Sequence, residues 1–217
     1  MPFNINDFSS HIKQSGYLRK NHFELNVTVP PILQGRNIER PGGSNSTSNV
    51  TRMMTFRVAN IRTPQVSLNT TNIRRYGVGP VQKYAYTSQF NEIIFTITCD
   101  EKGTIWHFWH NWLRSVFDST GGSDQLTGNF NTFPTYYSRF RDEYSSTVQL
   151  NLYDQIAQDE KTGTLRFDMF ETYPVNIMET PLSWSDTRLL ELTIVLNFKD
   201  FTIVGSDVER FEEFGFF

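Results

Sequence analysis

The run Trp106-His107-Phe108-Trp109-His110 holds the residue types most suggestive of chemistry. Two imidazoles three residues apart share a helix face, but a zinc site needs further N or S ligands. No intervening Glu and no second His/Cys cluster accompanies them. The expectation is that a helix turns its Trp side inward and leaves the imidazoles at its edge, with no metal and no cofactor. Gly77-Val78-Gly79 is followed by Pro80 and not by Lys-Ser/Thr, so the phosphate-cradling pattern is absent and a strand connection is expected. Cys99 is the only cysteine, which excludes an intrachain disulfide and a thiolate metal cluster within one chain. It ends an apolar strand, where an inert thiol is usual. The chain has no Gly-X-Ser-X-Gly elbow. The carboxylate pairs Asp142-Glu143 and Glu212-Glu213 are sequence neighbours, whose side chains diverge on a helix or strand. These residues give catalysis no starting point, and the expectation is that the chain is not an enzyme.

The elements around those residues are mostly strands. In 22–29, Phe23, Leu25, Val27 and Val29 alternate with Glu24, Asn26 and Thr28, the period of two of a half-buried strand, and Pro30-Pro31 ends it. Further strands are predicted over 53–58, 65–68, 147–154, 164–171 and 189–198, with 84–98 read as one long strand or two joined by a bulge. A short helix is predicted over 7–15, stopped by Gly16. The clearest helix covers 105–117, with Trp106, Trp109, Leu113 and Val116 at helical spacing and Thr104 placed to cap it. Segments 34–50 and 118–146 are rich in Gly, Ser, Asn and Thr and read as long loops. Strands, one central helix, then more strands do not alternate as a parallel sheet requires, so the predicted fold is mainly β: an antiparallel sandwich or barrel with one flanking helix.

Composition narrows the function. In a chain of 217 residues, 15% are aromatic and the net charge is −3, which favours strands and supplies no basic field for tight binding to nucleic acid. A mildly acidic surface still suits a channel through which DNA must slip without sticking. No basic start is followed by an apolar run, and no stretch approaches the roughly 20 apolar residues that cross a bilayer. A soluble protein made in the cytoplasm is expected, with no membrane segment.

The order of small motifs resembles the tail tube family of contractile phages, which includes the repeating tube subunit and the tube-initiating rings of the baseplate. Gly16-Tyr17-Leu18-Arg19-Lys20-Asn21-His22-Phe23 is similar to the family's entry into its first strand. The stretch from Phe56 through Ala59 and Ile61 to Pro64 is similar to its strand and Pro-containing turn. The segment 90–117, with Trp109 and Trp112, resembles its central strand and helix. Tyr173-Pro174-Val175-Asn176-Ile177 and Leu182-Ser183-Trp184-Ser185-Asp186, followed by 190–198, resemble its closing pattern.

The resemblance implies a single domain over 1–217, six copies per ring, and stacked rings whose inner strands line one channel. It also implies partners: further copies, neighbouring tube or baseplate proteins, a sheath, and transient non-specific contact with phage DNA. The location would be the virion tail, after assembly in the host cytoplasm. Segments 34–50 and 118–146 and a C-terminal extension over 199–217 read as additions to a plain tube subunit. Trp106, Trp109, Trp112 and Trp184 are the expected core aromatics. Arg36, Arg40, Phe211, Phe214, Phe216 and Phe217 are candidates for contacts between copies or rings. A carbohydrate-binding β-sandwich is the alternative reading, weakened because three of the four Trp lie on the predicted helix.

Overall fold

The computed structural model describes residues 5, 18, 20–34, 47–74, 77, 79–118, 137–153, 165–185 and 187–205. The helix predicted over 7–15 lies outside them.

The main sheet is antiparallel and open. Its order is β1 (Phe23–Val27), β8 (Ser146–Leu152), β9 (Leu165–Ile177), β10 (Glu191–Asn197), β5 (Ile93–Thr98) and β2 (Val58–Ile61), with β11 (Asp200–Gly205) also paired to β9. The alternation read from sequence sets the inward face. Leu25 and Val27 on β1, Val148 and Leu150 on β8, Ile93, Phe95 and Ile97 on β5, and Leu192, Ile194 and Leu196 on β10 are all buried in one cluster.

Strand β9 joins the two halves of the sheet. Its first part pairs with β8 on one edge and β11 on the other, and its last five residues pair with β10. Partner numbers run from Ile194↔Ile177 down to Gly205↔Leu165, so β10 and β11 follow one edge of β9 in succession. The residues after Phe198, expected to be an extension, therefore begin as a strand of the main sheet. Phe201 packs there among Phe90, Phe167 and Phe198.

Glu171 lies in β9 between its β11-paired and β10-paired parts, with a left-handed φ of 48° that a non-glycine residue adopts only at a cost. Its carboxylate is held by Arg141 at 2.9 Å and by Lys199, and its carbonyl accepts from Arg141 Nη2 at 3.2 Å. The hydrogen bond from Lys199, aided by the charges of Lys199 and Arg141, keeps its carboxyl below the usual Glu range. Beyond it, β9 runs through Pro174, where a turn was expected. The register shifts between Val195 and Leu196, and such a bulge tolerates a residue that cannot donate to the ladder.

Helix α1 (Thr47–Thr55) replaces the strand expected at 53–58 and the last part of the loop expected at 34–50. Val50 and Met54, four residues apart on one helix face, are buried beside β1, and Thr55 Oγ1 donates to Asn26 Oδ1 at 3.3 Å. Helix α2 (Thr104–Val116) matches the predicted helix within a residue, but Thr104 is not its cap. Gly103 takes the left-handed N-cap conformation at φ 70°, and Asp100 Oδ1 accepts the Ile105 N–H at 3.0 Å. Burial alone would raise the Asp100 carboxyl, but this bond and those from Thr104 outweigh it and hold it below its ordinary value.

The segment expected as a loop over 118–146 contains the short ladder β6 (Phe117–Asp118) with β7 (Tyr137–Ser138), the single turn α3 (Arg141–Tyr144) and the start of β8. The long strand expected over 84–98 is two strands in different sheets. Among the described residues, strand β4 (Gln82–Phe90) pairs only with β3 (Val66–Ile73), and β5 enters the main sheet after Asn91-Glu92.

Candidate assembly surfaces

Among the described residues, no group of three His, Cys, Asp or Glu is placed to hold a metal ion. His110 instead stacks on Trp106, ring centroids 5.0 Å apart at 12°. Cys99 is half-buried at the end of β5, and burial, with the Asp100 charge adding, pushes its thiol pKa up, so it is a poor nucleophile. Among the described residues, no helix is long and apolar enough to cross a membrane.

Trp109 and Trp112 are fully buried, stacked at 5.3 Å, with Trp109 set edge-on against Phe95 of β5. Trp112 Nε1 donates to the Tyr144 carbonyl at 2.7 Å, which ties α2 to α3. Trp106 and Trp184 correct the expectation of four core tryptophans, being 41% and 107% exposed. Trp106 lies on the outer side of α2, and Trp184 on the connection between β9 and β10. Arg36, Arg40, Phe211, Phe214, Phe216 and Phe217 lie outside the described residues.

The β3–β4 hairpin is a surface that sequence reasoning missed. It is anchored at Phe90, whose ring packs on Phe198 and Phe201, and by the Asn91 N–H on the Gln65 carbonyl at 3.1 Å. Beyond that anchor no residue of either strand is buried. The pairing is Val66↔Phe90 and Leu68↔Ser88 before an irregularity at Asn69/Thr70, and Thr71↔Tyr84 and Ile73↔Gln82 after it. The pairing passes from Asn69↔Thr87 to Thr70↔Ala85, so Tyr86 on β4 is the bulged residue. Alternation along the uninterrupted β3 puts Val66 and Leu68 on one face and Ile73, with Tyr84 opposite Thr71, on the other. The five apolar residues are all exposed. Only the pairing of β3 with β4 gathers these residues on one hairpin.

The second surface is the opening of the sheet. Its end strands β1 and β2 flank a groove of about 790 Å³ lined by Lys20, Asn21 and Phe23 on one side, Val58, Asn60 and Ile61 on the other, and Leu150 and Leu152. Among the described residues, each end strand pairs on one side only. The third is an apolar groove of about 460 Å³ between the Trp106 side of α2 and residues 177–190.

Among the described residues the antiparallel sheet is open, with each end strand paired on one side, and the apolar residues of the hairpin are uncovered. The model of the phage tail tube protein family matches residues 18–204, and the chain belongs to that family. No curated protein sequence matches it. Among solved structures, a chain of the sheath–tube complex of an extracellular contractile injection system in its extended state is similar, with TM-score 0.53 and 12% identity over 91% of this chain and 97% of that one. A chain of the six-fold symmetrised baseplate of the anti-feeding prophage gives TM-score 0.52 and 12% identity over 89% and 99%. A chain of the tube-terminating cap of the anti-feeding prophage gives 0.52 and 9% over 88% and 92%. At these identities the likeness is one of fold. Family and fold together make the chain a tail tube-like structural protein.

Proposed function

We propose that six copies of this chain close into a ring of a contractile tail, either in the repeating tube or at its baseplate-proximal start, around a channel for DNA. The observation that carries this is the β3–β4 hairpin. Two strands alone are marginal in water, and five exposed apolar side chains on this hairpin call for a covering partner. A neighbouring copy supplies that cover, and ring closure also gives the free edges of β1 and β2 a partner. Six-fold symmetry is that of the baseplate assembly to which one structural neighbour belongs. The chain works as a single domain without catalysis, and neighbouring tube, baseplate and sheath proteins are its partners. The net charge of −3 suits passage of DNA without capture. Its place is the tail of a virion, after assembly in the host cytoplasm.

For the carbohydrate-binding alternative, Trp106 and Trp184 are exposed aromatics. The groove beside Trp106 is walled mainly by Leu, Ile and Met, which offers sugar hydroxyls few partners.

Electron microscopy of the purified protein tests the proposal. Rings or tubes of one diameter are expected, and a monomer at every concentration would overturn it.

A further inference from the structure

The ribbon formed by β9 with β10 and β11 gives the molecule two unlike ends. At one end, Ile177 pairs with Ile194, and the chain opens into the apolar groove lined by Trp106, Leu113, Ile177, Met178, Leu182 and Leu190. Leu182 and Trp106 are exposed there. An adjoining groove of about 690 Å³ adds Trp184 and Leu189. At the other end, Gly205 pairs with Leu165, and the sequence continues as Ser-Asp-Val-Glu-Arg-Phe-Glu-Glu-Phe-Gly-Phe-Phe over 206–217. That segment carries Phe211, Phe214, Phe216 and Phe217.

We propose that residues 206–217 of one copy occupy the groove beside Trp106 of the next copy, so that subunits join end to end. The inference rests on the reading of the chain as a stacking tube subunit. Leu165 and Ile177 are twelve positions apart, roughly 40 Å of strand contour. Phe211 lies six residues past Gly205 and reaches at most about 20 Å from it. A twelve-residue segment that ran back along that contour to the groove of its own copy would be close to fully extended. In a copy placed end to end, the segment leaves Gly205 where the next groove begins. Such a contact joins unlike surfaces and therefore propagates into a stack, unlike a two-fold contact. Apolar matching selects the occupant, four Phe against Leu, Ile, Met and Trp side chains, with His110, Asn176, Glu179 and Thr180 completing the wall. Charge does not, because Arg188 shares the adjoining groove with Glu179 and Glu191.

The test is cross-linking of full-length protein in a Cys99→Ser background. A Phe214→Cys protein is mixed with a Leu182→Cys protein and oxidised, and a band of doubled mass containing both chains is expected. The same pair placed in one chain should give intermolecular products, not a monomer of altered mobility. No cross-link in the mixture, or a cross-link only within one chain, overturns the proposal. Leu190→Glu in the groove partner should reduce the mixed product at least tenfold. An unchanged yield would also count against the groove. The cross-link is read whether or not rings are seen by microscopy, so failure of the tube reading and failure of the docking are separate results. Rings or tubes without the cross-link would leave the first standing and remove the second.

Discussion

Helix α2 and the β3–β4 hairpin each carry a set of apolar side chains, but the chain covers only the first. Ile105, Phe108, Trp109 and Trp112 of α2 are fully buried against the sheet, whereas Val66, Leu68, Ile73, Tyr84 and Tyr86 of the hairpin are exposed. Amphipathicity thus says that a face will be covered and leaves open whether the cover belongs to the same chain. The two regions should respond oppositely to mutation. Damage to α2 should unfold the subunit, and damage to the hairpin should leave it folded and unassembled.

The largest effect is expected at Trp109 and Trp112. Replacing either by Ala should cost about 3–5 kcal/mol in chemical denaturation, since each is fully buried in the aromatic cluster. A cost below about 1 kcal/mol in both would show that this face is not the core support that it appears in the isolated subunit.

Phenylalanine sharpens the comparison within the helix. Trp112→Phe leaves the Tyr144 carbonyl without its donor, whereas Trp109 Nε1 is buried without a hydrogen-bond partner, so Trp109→Phe removes an unmet polar atom. Trp112→Phe should therefore be the more destabilising by about 1 kcal/mol. Equal costs would mean that ring volume alone matters.

At the start of the same helix, Asp100→Ala should cost about 1 kcal/mol by leaving the Ile105 N–H unmet. Because the Asp100 carboxyl is held below its ordinary value, its contribution is complete above the unfolded Asp range near about 4 and is lost as pH falls through the folded value. Melting curves between pH 5 and pH 2 should lose part of their slope in Asp100→Asn. Glu171 has the same sign, its carboxyl also being lowered. There the backbone offers a second check: at φ 48°, Glu171→Gly should be more stable than Glu171→Ala, because both lose the ion pairs and only Gly relieves the left-handed strain.

Local patterns were legible in the sequence where one segment faces one core. The alternation in β1 and β8 predicted both the strand and its buried side. The Trp spacing of α2 predicted the helix but not its face, since Ile105, Phe108, Trp109 and Trp112 are buried and Trp106 is exposed. Helix α1 was missed because Val50, Met53 and Met54 also suit a strand, and only their packing beside β1 decides between them. Asn91-Glu92 gave no strong break signal, so a change of sheet looked like one long strand. Pro174 suggested a turn because a strand with a bulge at that position is defined by its partner, β10. Trp106 and Trp184 were assigned to the core by residue type, but exposure depends on where α2 and the β9–β10 connection finish in space. The hairpin was hidden for the same reason: the pairing of β3 with β4 is a relation between segments 66–73 and 82–90.

The smallest effect on stability, and the most informative result, is expected at that hairpin. Leu68→Ala and Tyr86→Ala remove side chains that are 63% and 67% exposed, so the melting curve of the isolated subunit should shift by no more than about 0.5 kcal/mol in stability. If a neighbouring copy covers this hairpin, the same two changes remove apolar area from the interface and should abolish rings or shift their formation to at least tenfold higher concentration, a change of about 1.4 kcal/mol. Analytical sedimentation across a concentration series, with the melting curve measured on the same samples, separates the two readouts. Asn69→Ala and Thr87→Ala on the face opposite Leu68 serve as the control. Should they disrupt assembly as strongly as Leu68→Ala, the apolar residues have no special role, and the hairpin is held by its polar residues or by both. Lost folding in Leu68→Ala would instead make the hairpin part of the subunit's own core and remove the contrast with helix α2.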